Sequence, residues 1–220
     1  MFPAWGLPFV PAAVRVARLL QGAGKRRKAV AIVEEAWVSN PHPHLSDVMK
    51  GLAPGAGPLE KMRILENLAG YNKDHMESHL AIAESALAAG MWQETREHLE
   101  AAAGTNPSAR ICRYMAELVE AEKGDVGASR EWLRQASLAD PDSAWVCKSC
   151  GNAITDWELV CGRCDTFDSL VWQTPPRVTR MESNKHGDGI PESPQSASKS
   201  VNSENCSDTG PDLNINADDK

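Results

Sequence analysis

The chain has 220 residues, 42% of them hydrophobic, which suffices for one or two domains with a sizeable core and excludes a fibrous or membrane-embedded class. Its 30 acidic residues outnumber 23 basic ones, and the formal net charge of -7 opposes any broad attraction to nucleic acid or to an anionic membrane surface. Proteins are the expected partners.

The first residues read MFPAWGLPFVPAAVRVARLL, an apolar stretch interrupted by Pro3, Pro8 and Pro11 and closed by Arg15. A spanning helix needs about 20 apolar residues, so no transmembrane segment is expected here. A secretory signal carries its positive charge before the apolar run, whereas the first arginine follows it, and the chain is read as cytosol-facing. Residues 1–9 are taken as an irregular N-terminus. They do not resemble the start of a repeat array, and the chain is read as a piece of a longer one.

From there a repeat governs the sequence. Gly90, Leu99, Ala102 and Pro107 recur 34 residues later as Gly124, Leu133, Ala136 and Pro141, and 34 is the tetratricopeptide period. The 17-residue interval from glycine to proline also occurs from Gly24 to Pro41. Each glycine falls where a first helix must end and turn, a place for left-handed backbone. Ala29, Ala36, Ala102 and Ala136 would allow close helix approach, with Val33, Leu99 and Leu133 filling the grooves. SNP, TNP and ADP, ending at Pro41, Pro107 and Pro141, stop each unit, because the residue before proline is pushed out of the helical region. A divergent unit lies between, with Lys73 in YNKD where the others have proline and a breaker-rich turn, Gly51 to Pro58. Helix pairs are expected over residues 10 to 40, 44 to 72, 75 to 106 and 108 to 139, within a helical region at 10–142.

Several signals in this region have plain readings. Lys25 to Lys28 (KRRK) is an exposed basic face. PHPH, Pro41 to His44, is a turn after a helix. His75 and His79 in HMESH lie one turn apart, but Met76 stands where a metalloprotease motif needs glutamate, so a solvated helix is expected. Cys112 is a small buried residue.

The segment 143–175 holds Cys147, Cys150, Cys161 and Cys164, spaced C-x2-C-x10-C-x2-C, which can bring four thiolates to the corners of a tetrahedron. Gly151 suits the positive φ that follows a knuckle, and Asp165 stands in the equivalent place at the second knuckle. Trp145, Trp157, Phe167 and Trp172 are expected to pack around the ion and onto the last helix pair. Structural zinc is the first assignment, with iron in a rubredoxin-like site as the second. A thioredoxin-type redox pair needs a βαβ setting, and a catalytic zinc keeps an open position that four cysteines close. No phosphate loop, nucleophile elbow or plausible carboxylate pair emerges, so catalytic and cofactor-binding residues are both set at none.

Residues 176–220 turn to Ser, Asn, Asp, Lys and Pro and are expected to be disordered, with Cys206 an unpaired bystander. The fold class is therefore mainly α: a tetratricopeptide-like helical-hairpin solenoid, then a small four-cysteine zinc ribbon, then a disordered tail.

The order of parts, with GPLEKMRILENLAGYNKDHMESHLAIAESALAAGMWQETREHL and then DPDSAWVCKSCGNAITDWELVCGRCDTFDSLVW, resembles the C-terminal half of the bacterial HemY tetratricopeptide proteins, particularly those of alphaproteobacteria. The likeness covers roughly residues 10 to 175, and the ribbon phrase is its specific part. It implies a scaffold associated with haem biosynthesis and not an enzyme, with Cys147, Cys150, Cys161 and Cys164 as the metal ligands. Full-length members of that family are anchored in the inner membrane, whereas this sequence shows no such membrane portion and is expected, as it stands, in the cytoplasm or peripheral to that membrane. The architecture is also similar to the lipopolysaccharide assembly adaptor with its rubredoxin-like metal domain. A nucleic-acid-binding zinc ribbon is a third reading, which the acidic charge opposes.

Overall fold

The computed structural model describes residues 9–176; the expected irregular start before Phe9, the tail beyond Pro176 and Cys206 lie outside the described residues. Eight α-helices and three short strands follow in order: α1 Val10–Gly22, α2 Arg26–Ser39, α3 Pro43–Gly51, α4 Pro58–Ala69, α5 Met76–Ala88, α6 Trp92–Ala103, α7 Ala109–Lys123, α8 Val126–Leu138, β1 Ala144–Cys147, β2 Ala153–Ile154 and β3 Leu170–Gln173. The protein is mainly helical with one small sheet.

Local chemistry sets the helix ends. Proline occupies the first turn of α1, α3 and α4, where its missing N–H would be unsatisfied anyway. The Ser108 and Asp125 side chains accept the backbone N–H of Ile111 and Ala128 to open α7 and α8. Gly24, Gly90 and Gly124 take φ of +70°, +72° and +65° at the turns that follow α1, α5 and α7, the left-handed geometry that ends a helix without a Cβ clash.

Each helix packs on its neighbour in the sequence, and the odd-numbered helices also form a row, α1 against α3, α3 against α5 and α5 against α7. Helix α5 consequently lies between α3, α4, α6 and α7, and it is lined by Ala81, Ala83, Ala86, Ser78 and Ser85, all buried. These small side chains let the neighbours approach closely, and the larger Leu80 and Ile82 are buried between them. Trp37, Leu45 and Leu65 are sealed in the core shared by the first four helices, while Leu99, Ile111 and Leu118 fill that of the later ones. Two part-buried ion pairs cross the row among the described residues: Lys50 of α3 donates to Glu84 of α5 at 2.8 Å, and Glu77 at the start of α5 accepts from Arg110 of α7 at 2.9 Å. Burial works against the Arg110 charge, but Glu77 and Tyr114 outweigh it and hold its pKa above the ordinary value.

The expected close-approach and groove-filling residues divide. Ala29, Val33, Ala36 and Leu99 are buried, whereas Leu133 is 48% exposed. Leu99 is covered because α7 lies across α6; among the described residues no helix follows α8, so Leu133 has nothing to enter. Lys25 to Lys28 are exposed and Cys112 is buried. No helix among the described residues is long and apolar enough to cross a membrane.

Replacing Leu99 with alanine should therefore cost about 2 to 5 kcal/mol of stability. The same change at Leu133 should cost less than about 1 kcal/mol. Urea unfolding midpoints of the two variants test the difference.

Candidate metal centre

In the antiparallel sheet of the ribbon β1 is central: Trp145 lies opposite Ile154 of β2 and Trp172 of β3. The four cysteines sit on two knuckles built alike. In the first, Cys147 N–H donates to the Asn152 carbonyl at 2.8 Å and Gly151 N–H to the Cys147 carbonyl at 2.9 Å. In the second, Cys161 N–H donates to the Thr166 carbonyl at 3.0 Å and Asp165 N–H to the Cys161 carbonyl at 2.9 Å. Gly151 has φ +71° and Asp165 φ +55°, so aspartate takes the left-handed conformation that glycine supplies in the other knuckle.

This geometry gathers the thiols. All four Sγ atoms lie within 4.8 Å of one another, and the Cys147–Cys164 and Cys150–Cys161 pairs are each 3.7 Å apart. No disulfide joins them. A tetrahedral ion with metal–sulfur bonds of about 2.3 Å needs sulfur atoms about 3.8 Å apart, so the donor set fits a closed four-thiolate ion, zinc or iron. Cys147 and Cys161 are buried, and Trp145, Trp157, Trp172, Ile154 and Leu170 surround the group. The Ser169 and Thr166 hydroxyls lie 3.2 Å from the sulfurs of Cys147 and Cys164. The Ser169 contact lowers the Cys147 thiol to about 6, and Thr166 lowers that of Cys164. The Cys150 thiol moves the other way: the Asn152 amide acts to lower it, but burial and the neighbouring thiols outweigh that and push it up to about 12, so a cation bound there has to displace its proton.

The expectation that the ribbon aromatics pack on the last helix pair needs correction. Trp145 stacks on His42 with ring centres 5.6 Å apart, Trp172 lies 4.2 Å from the same ring and 5.7 Å from His44, and Trp157 meets Phe9 edge-on at 5.2 Å. The connection after α8 explains why. Asp142 accepts the Arg110 backbone N–H at 2.7 Å and pairs with Arg113, while the Asp140 carbonyl accepts from Ala109 N–H at 3.2 Å. These bonds pin the chain to the N-terminal end of α7, where unpaired amides favour a carboxylate. Heading back from there, the ribbon reaches the N-terminal ends of α3 and α1 instead of covering α8.

PHPH is a turn, as its prolines suggest, and it also holds a docking residue. His42 caps α3, its Nδ1 accepting the His44 N–H at 3.1 Å, and its ring is only 3% exposed. The X-Pro spacing after His42 was the available signal, since a residue preceding proline at a helix start commonly caps it. Its Nε2 has no hydrogen-bond partner among the described residues. His75 likewise caps α5 through Glu77 N–H at 3.1 Å, whereas His79 turns toward His98 of α6.

No family model matches the chain. It is similar to the probable magnetosome protein Mms48 of Magnetospirillum gryphiswaldense, with 32% identity over 165 residues, 74% of this chain. The match spans 37% of that relative's length.

Burial, reinforced by His44 and Arg110 and opposed by Asp47, lowers the His42 pKa from 6.5 to about 3. The unfolded imidazole takes up a proton near 6.5 and the folded one does not, so stability is full above that pH and declines as the pH falls toward 3. A His42→Asn variant keeps an N-cap acceptor and loses the ring contacts. It should be about 1 to 2 kcal/mol less stable at neutral pH and show a flatter acid limb. Urea titrations repeated between neutral pH and pH 4 check both effects.

Proposed function

We propose that the chain is a non-enzymatic protein–protein interaction scaffold of HemY type, associated with haem biosynthesis. Its helix pairs form a tetratricopeptide-like solenoid, and its ribbon carries a structural zinc ion at Cys147, Cys150, Cys161 and Cys164. The observation that carries this reading is a cleft of about 450 Å³ bordered by Asp47, Met76, Glu77, Arg110 and Trp172. It lies where α3, α5 and α7 meet the ribbon, and it mixes apolar side chains with charges of both signs, a composition suited to a peptide. Zinc is favoured over iron because four cysteines close a site that has only to hold a short aromatic-rich ribbon in shape. A closed shell leaves the ion no position for a substrate.

The similarity to a magnetosome protein favours a second reading, a scaffold of that organelle. A lipopolysaccharide-assembly adaptor and a nucleic-acid-binding ribbon rank below both. In either scaffold reading the chain acts in the cytoplasm or peripheral to the inner membrane.

Elemental analysis of purified protein should find zinc near one equivalent, and Cys164→Ser should lose it and destabilise the ribbon. Metal-free folded protein would overturn the structural assignment. Affinity capture from the native cell should recover haem-pathway enzymes, and a Met76→Glu variant should lose them. Magnetosome or envelope-assembly proteins lost in the same way would transfer the scaffold to those settings. A nucleic-acid shift at physiological salt would favour the nucleic-acid-binding ribbon, and a set of captured proteins indifferent to Met76 would exclude the cleft.

A further inference from the structure

The charge of the chain is unevenly spread. Its first acidic residue is Glu34, and six cations precede it: Arg15, Arg18, Lys25, Arg26, Arg27 and Lys28. All six are exposed, and none makes an ion pair or a side-chain hydrogen bond among the described residues. Lys25 N–H donates to the Leu20 carbonyl at 2.8 Å, so the basic run folds back on the last turn of α1. Gln21 to Lys28 are exposed without interruption and form a cationic tip. The acidic excess elsewhere opposes broad attraction to an anionic surface. It is nevertheless screened over about 8 Å at physiological salt, and a local cluster acts on its own.

Beside this tip lies an apolar face with a charge set into it. Counted from the turn glycines, Val16 of α1 matches Ile82 of α5 and Ala116 of α7, which are buried. On α5 that face is covered by α4, where Ile82 joins Met62 and Ala69 in one cluster. On α1 it is open: Val16 is 42% and Leu19 60% exposed. Arg15, one turn before Leu19, matches Ala81 and Met115, which are both buried. An apolar helix laid here would leave the Arg15 guanidinium dry and unpaired, at high cost. A layer of phosphates above hydrocarbon accommodates the guanidinium and the apolar side chains together.

We propose that the outer face of α1 and the α1–α2 turn form a docking surface for an anionic phospholipid bilayer. Val16 and Leu19 enter the headgroup boundary, while Arg15 and Lys25 to Lys28 pair with lipid phosphates. About four to eight cations on an amphipathic helix is the composition that anionic lipid attracts. A nucleic-acid backbone would match the cations but leave Val16 and Leu19 in water. The setting rests on the peripheral placement proposed above; the surface itself does not.

The full chain is sedimented with vesicles of phosphatidylcholine, alone or mixed with phosphatidylglycerol. Binding to the mixed vesicles only is expected, and it should fall as salt is raised. Lys25→Gln, Arg26→Gln, Arg27→Gln and Lys28→Gln together should weaken it by at least about tenfold, since each cation near the surface contributes about fivefold. Leu19→Ser should weaken it by a smaller factor that persists at high salt. Removing two exposed cations of α8, with Arg130→Gln and Arg134→Gln, should change it by less than about twofold. Met76→Glu should leave vesicle binding intact while it loses captured proteins, so the lipid surface and the scaffold reading fail separately. The vesicle comparison is made on the unmodified chain and stands even where a variant folds poorly. No binding to the mixed vesicles, equal binding to neutral ones, or full binding by a folded quadruple variant would overturn the proposal. Duplex DNA bound in place of vesicles would give the tip to nucleic acid instead, and a dimer lost with Leu19→Ser would give the face to a second copy.

Discussion

The ribbon meets the early helices chiefly through the His42 ring, held against Trp145 and Trp172. His42 stands at the start of the second helix pair and the tryptophans lie in the ribbon, so the contact joins parts of the chain far apart in sequence. A repeat array is normally held by nearest-neighbour interfaces alone, and each unit can loosen without consulting distant ones. Here the α2–α3 corner, the N-terminal end of α7 and the sheet share an assembly, through His42 on one side and Asp142 on the other. Burying an imidazole whose Nε2 has no partner among the described residues is the cost of that arrangement.

The helical part was legible because glycine and proline act through the backbone. At Gly24, Gly90 and Gly124 the 34- and 17-residue spacings identified real left-handed turns. The metal knuckles were legible for the same reason, and Asp165 could be placed in the left-handed region by analogy with Gly151. Side-chain partners across space were not. Trp145 and Trp172 read as apolar surface seeking cover, and apolar attraction has no direction that a sequence can encode. The covering residues were decided by polar bonds at Asp140 and Asp142 that looked like ordinary linker chemistry.

Leu133 and His79 illustrate two further limits. Leu133 repeats Leu99 in the sequence, but a groove needs two helices, and periodicity describes only one of them. His79 was paired in the sequence with His75, one turn before it. That pairing presumed that both rings project from the same helix, whereas His75 stands at the cap and His79 meets α6. Helix-to-helix register, which fixes such meetings, is set by the shapes of many packed side chains together.

The duplicate construction of the knuckles bears on how an ion would arrive and leave. Each loop is closed by its own amide bonds, so each offers two sulfurs as a ready-made pincer. Once one pincer has seized an ion, the other is tethered nearby, and its closure becomes an intramolecular step at high effective concentration. Escape then requires both pincers to be open at the same moment. A chelator competing for the ion must wait for the first to open and strike before it recloses, so exchange should be slow even where affinity is ordinary.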